Sequence, residues 1–198
     1  MVLLNSSSCK FGWKPENFEF TSLKGDKNSL YNMSGINGIL IMFICNHCPY
    51  VRSIEKKIAI ETARLKEIKV NSLAIMSNDQ SSYPEDSNSN LLEQISRANF
   101  NFEYIVDKDQ SIAKNFDALC TPEFYFFDKD LKLQYRGRLD SNGKDPEMGE
   151  PELYYAIEEV IAKGYCSSQQ SPSMGCSIGN NIWVINCSGI KTHFISTC

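Results

Sequence analysis

The stretch Phe43-Ile44-Cys45-Asn46-His47-Cys48-Pro49-Tyr50-Val51, FICNHCPYV, decides how the chain is read. It closes an apolar run over 39–45. It opens a segment, 48–69, in which Val51, Ile54, Ile58, Leu65 and Ile68 recur at mostly helical spacing with charges between them. A continuous apolar run suits a strand buried on both faces of a covered sheet. Two cysteines three apart therefore stand where a buried strand gives way to a helix. Free N–H groups and the helix dipole favour an anion there. Cys45, at or just before the helix N-terminus, is expected to hold a thiolate of lowered pKa. Cys48, one turn on, reaches the same side. Attack by Cys45 on a disulfide makes a mixed disulfide, and attack by Cys48 releases it. Pro49 is tolerated in a first helical turn. An imidazolium at His47 would further stabilise the thiolate, favour the reduced form and make the pair more oxidising.

Outward from this stretch, period-2 and period-3.6 patterns alternate. Residues 18–23 read as a short strand, 23–38 as turn-rich, 70–76 as a second buried strand and 77–90 as a polar loop. A helix is expected over 91–98, a strand over 103–106, and a helix over 110–116 capped by Asp107 or Asp109. Strands over 123–127 and 132–138 form a hairpin around "DKD", without the usual glycine. An amphipathic helix over 152–163 ends at Gly164. The order implies an α/β domain over 10–164 with a mixed central sheet flanked by helices. Residues 165–198, rich in Ser, Gly, Asn and Cys and without an acidic residue, read as an appendage.

Composition narrows the function. A net charge of −4 argues against a nucleic-acid binder. The longest apolar run is too short to span a bilayer, and the start lacks a basic n-region, so a cytoplasmic protein away from membranes is expected. Eight cysteines are too few for a disulfide scaffold, so their spacing matters more than their number. A plain pair of buried small residues explains C-x-x-C at this junction poorly. A structural zinc needs four ligands, and Cys45, His47 and Cys48 supply three; the only other histidine is His193, in the last segment. Cys45, Cys48, Cys120 and Cys176 would make a metal-binding or redox-sensing module if they converged.

A second feature is "LCTPEFYFFD", 119–128. A proline before an alternating apolar strand is an edge or turn residue and is ordinarily trans. Beside a cysteine pair, the sharper reading is a cis-proline loop facing the redox site. With "FICNHCPYV" (43–51), "CTPEFYFFD" (120–128), "LQYRGRLD" (133–140) and "PSMGCSI" (172–178), the chain resembles the thioredoxin superfamily over residues 10 to 178. It resembles most the peroxiredoxin-like and TlpA-like branch, the alkyl hydroperoxide reductase/thiol-specific antioxidant proteins. The resemblance implies a thioredoxin-like fold with an N-terminal extension and Pro122 in cis. Thr121 would offer backbone hydrogen bonds to an extended substrate segment. Cys45 is implied as nucleophile and Cys48 as resolving cysteine. His47, directly before the second cysteine, is similar to one position of the oxidising DsbA site. Cys120 also matches a cysteine of the narrower family, and is either near the active site or a buried small residue. Cys176 matches another. The sequence favours a free surface thiol there over a third redox partner, because nothing in it fixes the distance. After residue 178 the resemblance ends.

The expected function is thiol-disulfide exchange with protein thiols and disulfides, with no organic cofactor and a thioredoxin-like electron donor as a partner. A dedicated peroxidase fits less well. Its P-x-x-x-T-x-x-C pattern asks for Thr three before the cysteine, where Cys45 and Cys48 have Met42 and Cys45. The arginines expected to orient a peroxide in such a site, Arg136 and Arg138, lie in a strand.

Overall fold

The computed structural model describes residues 3–178, so the segment that includes Cys187, His193 and Cys198 lies outside the described residues. Its elements are β1 (Leu3–Asn5), β2 (Glu19–Thr21), β3 (Lys27–Ser29), α1 (Leu30–Met33), β4 (Ile39–Phe43), α2 (Pro49–Glu67), β5 (Asn71–Met76), α3 (Asn88–Ala98), β6 (Glu103–Val106), α4 (Ser111–Phe116), β7 (Cys120–Thr121), β8 (Glu123–Phe127), β9 (Leu133–Gly137), α5 (Glu152–Lys163) and β10 (Met174–Ser177). A five-stranded sheet in the order β6-β5-β4-β8-β9 forms the centre. β4, β5 and β6 run parallel; β8 and β9 run antiparallel to their neighbours. The sheet is mixed, with helices on both faces.

β4 explains why the apolar run has no polar alternation. Leu40 and Met42 pack with α2, α3 and α5 on one face. Ile39, Ile41 and Phe43 pack with α4 and the N-terminal aromatics Trp13, Phe18 and Phe20 on the other. Both faces are covered, so both sets of side chains are apolar. Asp107 and Asp109 together serve the start of α4. Asp107 accepts the N–H groups of Ile112 and Ala113, and Asp109 that of Ser111. In the β8–β9 hairpin, Leu131 takes the positive φ of +58° that a glycine would usually supply.

Two small sheets add pairings that the sequence pattern does not show. β2, within the strand read over 18–23, pairs with β3, which lies in the stretch read as turns. β10, within the segment read as an appendage, pairs antiparallel with both β1 and β7. The two ends of the described chain thus meet beside Thr121.

One buried charge shapes the loop after β9. The Lys57 ammonium on α2 lies 2.7 Å from the Asp140 carboxylate and donates to the carbonyls of Gly143, Asp145 and Glu147 at 3.3, 2.8 and 3.3 Å. A buried ammonium is tolerated because each donor finds an oxygen. Lys57→Met leaves the Asp140 carboxylate buried and unpaired. It should destabilise the fold by about 3–5 kcal/mol in urea unfolding, far beyond a solvent-exposed lysine control.

Candidate active site

The backbone between β4 and α2 belongs to neither ladder nor helix, and side chains from elsewhere hold it. Asp86, in a 3-10 turn over Pro84–Asp86, accepts the N–H groups of Asn46 and His47 on one oxygen, at 2.7 and 3.0 Å. Gln94 of α3 donates to the Cys45 carbonyl at 3.2 Å, and the Tyr104 hydroxyl of β6 to the Ile44 carbonyl at 3.1 Å. Arg97 and Arg52 both reach the Asn46 side-chain oxygen.

α2 begins at Pro49, and its N-cap is Cys48, not Cys45. The sequence pattern places the helix over 48–69, with Cys45 at or just before its N-terminus. Asn46 and His47 instead form a bend, and the fixed φ of Pro49 suits the first helical position. The helix terminus therefore acts on Cys48. Hydrogen bonding from the Cys45 thiol is the largest influence on Cys48. With the contact to Cys176 and the Val51 backbone N–H, it outweighs burial and lowers the Cys48 pKa to about 5. Burial, then the hydrogen bond to Cys48, hold the Cys45 thiol well above its ordinary value. Burial, then the contact with Cys48, push Cys176 up to about 12. Where the sequence places the lowered pKa on Cys45, hydrogen bonding between the two packed thiols draws Cys48 down, and burial holds Cys45 up.

The sulfurs are packed closely. Cys48 Sγ lies 2.7 Å from Cys176 Sγ and 3.3 Å from the Thr121 carbonyl oxygen. Cys45 Sγ lies 3.3 Å from Thr121 Oγ1. All are free thiols and buried. Cys176 is 1% exposed, so the surface-thiol reading of it is also corrected. Cys120 is buried, and burial followed by the nearby Glu123 raises its pKa. The Thr121–Pro122 peptide bond is cis. Thr121 pairs with Cys176 across β7 and β10. The strand edge reserved for substrate by the sequence reading is therefore filled by this chain's own segment.

His47 donates from Nδ1 to the second Asp86 oxygen at 2.5 Å and stacks on Tyr83 at 3.9 Å between ring centroids. Ligating atoms of Cys45, His47 and Asp86 lie within 4.8 Å of one another. Among the described residues that is the one group of three or more such atoms. Cys45, Cys48, Cys120 and Cys176 do not converge as four ligands. Asp86 and Tyr83 went unread in the sequence because acidic and aromatic residues in a polar loop look solvated; only the tertiary fold brings them to His47. Beside the site, a cavity of about 90 Å³ is lined by Tyr50, Ile54, Pro122, Phe124, Leu139 and Met174, among others.

A covered mixed sheet with paired thiols where its central strand meets a helix defines a thioredoxin-like redox protein. The chain belongs to the AhpC/TSA family, whose sequence pattern matches residues 12–136. An uncharacterized conserved protein from Geobacillus kaustophilus is similar at 34% identity and a TM-score of 0.83, over 90% of this chain and 96% of that one. A hypothetical protein from Sinorhizobium meliloti is similar at 29% identity and a TM-score of 0.80, over 88% and 96%. A secreted Mycobacterium tuberculosis disulfide oxidoreductase shares the fold at 17% identity and a TM-score of 0.55, over 71% and 94%. Among curated proteins, none matches the chain in sequence. No helix among the described residues is long and apolar enough to cross a membrane.

The thiol assignment has a sign that can be checked. Cys48 sits below its ordinary value of 9.0 when folded, so it stabilises the reduced protein fully above pH 9 and loses that contribution as pH falls through about 5. Cys45 and Cys176 sit above it, so they withdraw stability as pH rises beyond 9. Thiolate absorbance of the reduced protein near 240 nm should titrate with an apparent midpoint of about 5 and disappear in Cys48→Ser. The wild-type advantage over that variant in urea midpoint should widen from pH 5 to pH 9. A lowest thiolate midpoint near 9 would refute the assignment.

Proposed function

We propose that the protein is a thiol-disulfide oxidoreductase cycling between a dithiol and a Cys45–Cys48 disulfide. The observation that carries this reading is the gathering of both sulfurs against Thr121, at 3.3 Å each, where the N-terminus of α2 meets the Pro122 turn. Family membership supports it. Cys45 is the nucleophile and Cys48 the resolving cysteine. Cys45 passes its proton to the adjacent Cys48 sulfur and attacks a client disulfide, a Cys45–client bond forms, and the client's other sulfur leaves with the electron pair. Cys48 gives that proton to the leaving group and attacks the Cys45 sulfur, releasing the second client thiol. The client gains two electrons and the protein loses two. The reverse sequence oxidises a client dithiol.

His47 and Asp86 hold the loop and set the field at Cys45, and Thr121 orients both sulfurs. The neighbouring cavity seats an apolar client side chain. Lys144, its ammonium 5.0 Å from the Tyr50 ring, favours an acidic residue next to it. We assign the domain to residues 10–164, with 174–177 completing the site, and the cytoplasm as its compartment. Peroxide consumption takes second place. Arg136 is bound to Glu123 and Arg138 to Glu152, which leaves neither guanidinium free to orient a peroxide.

Equilibration in glutathione buffers tests the reading. The expected potential lies between those of thioredoxin and DsbA, about −270 and about −120 mV. Reduction of a protein disulfide should be lost in Cys45→Ser. Cys48→Ser should accumulate mixed disulfides on Cys45. Asp86→Asn should shift both the potential and the pH profile, which a purely structural role would leave in place. A protein that forms no disulfide at any glutathione ratio is not an oxidoreductase of this kind.

A further inference from the structure

We propose that Cys176 is a third redox-active thiol, which takes the disulfide over from Cys45 by bonding to Cys48. The inference rests on the oxidoreductase reading above and extends it to a residue outside the C-x-x-C pair. Its basis is the 2.7 Å contact between the Cys48 and Cys176 sulfurs, both buried. The position is built rather than incidental. β10 sets Cys176 opposite Thr121, the residue that also touches Cys45 and Cys48. On its other side β10 pairs with β1, Cys176 opposite Leu3, and Ser6 and Ser173 exchange hydrogen bonds at 2.8 and 2.9 Å just beyond. Gly175 makes the approach possible. A Cβ there would stand 2.0 Å from the Thr121 carbonyl oxygen, so any other residue would push β10 and its thiol away. Cys120, beside Thr121 on β7, makes no such sulfur contact among the described residues.

The step is an internal exchange. In the oxidised protein, Cys176 loses its proton and attacks the Cys48 sulfur of the Cys45–Cys48 disulfide. A Cys48–Cys176 bond forms, the Cys45–Cys48 bond breaks, and the electron pair leaves on Cys45, which takes up the proton. The protein stays oxidised by two electrons throughout, so no further oxidant enters; the client disulfide supplied the oxidation in the preceding step. The exchange returns Cys45 to a free thiol beside His47 and ties segment 174–177 covalently to the start of α2.

Acid quenching of full-length protein oxidised with glutathione disulfide, followed by tryptic mapping, tests this. Cys45 and Cys48 share the peptide 28–52, and Cys176 lies in 164–191. Wild type should yield 28–52 both closed on itself and linked to 164–191. The linked form should dominate in Cys45→Ser and vanish in Cys176→Ser. If wild type closes 28–52 but neither it nor Cys45→Ser yields the link, the relay is wrong and the oxidoreductase reading stands. A link that persists in Cys176→Ser also overturns the relay, since Cys166 or Cys187 then supplies the sulfur. If neither disulfide forms at any glutathione ratio, the oxidoreductase reading fails and the relay with it.

Discussion

The site depends on how the backbone leaves the sheet. After Phe43 the chain has five residues, 44–48, before its helix starts, and their polar groups lie in the interior. Buried amides and carbonyls without partners are costly. Asp86, Gln94 and Tyr104 remove that cost, each from a different element. Their geometry fixes where Asn46 and His47 bend, and so which cysteine becomes the N-cap of α2. The same Asp86 carboxylate holds the His47 ring with its other oxygen. One buried side chain thus sets both the path of the loop and the orientation of the imidazole near Cys45.

The second determinant is the close meeting of β7 and β10. Thr121 is the point where the C-x-x-C loop, the Pro122 turn and the C-terminal strand converge. Its hydroxyl faces Cys45, its carbonyl faces Cys48, and its strand partner is Cys176. A side chain at 175 would hold these pieces apart. The absence of a side chain at one position therefore controls sulfur geometry at another.

These features divide what a sequence can reveal from what it hides. β4, α2 and α5 are legible because their burial imposes a period on neighbouring residues. The helix over Glu152–Lys163 and its end at Gly164, with φ of +84°, follow from periodicity and cap chemistry alone. The cysteine pair is legible because its spacing and its place at a strand–helix junction are local. Asp86 is hidden: its carboxylate sits in a serine- and asparagine-rich loop, 39 residues beyond the histidine it binds. Cys176 is hidden for a related reason, since no local pattern announces a strand four residues long paired to the far end of the chain. The question of whether Cys45 or Cys48, three residues apart, caps α2 also lies beyond the pattern, because caps depend on the path of the preceding bend.

Burial acts on the sulfurs in two opposing ways. It penalises a thiolate, which is why Cys45, Cys120 and Cys176 all sit above the ordinary thiol value. It also strengthens each hydrogen bond to whichever sulfur is ionised, because no water competes. Three thiolates in one dry pocket would repel one another and share too few donors. One thiolate, beside the other thiols and the first turn of α2, is as much charge as the pocket holds, and contact with Cys45 draws the Cys48 thiol down. Oxidation changes the balance on both sides. Closing a disulfide at Cys48 removes the buried charge and its desolvation cost. It also abolishes the hydrogen bonds that had held the charge. The potential of the site is the difference between these terms, so it is set by the neighbours of Cys48 at least as much as by the two residues between the cysteines.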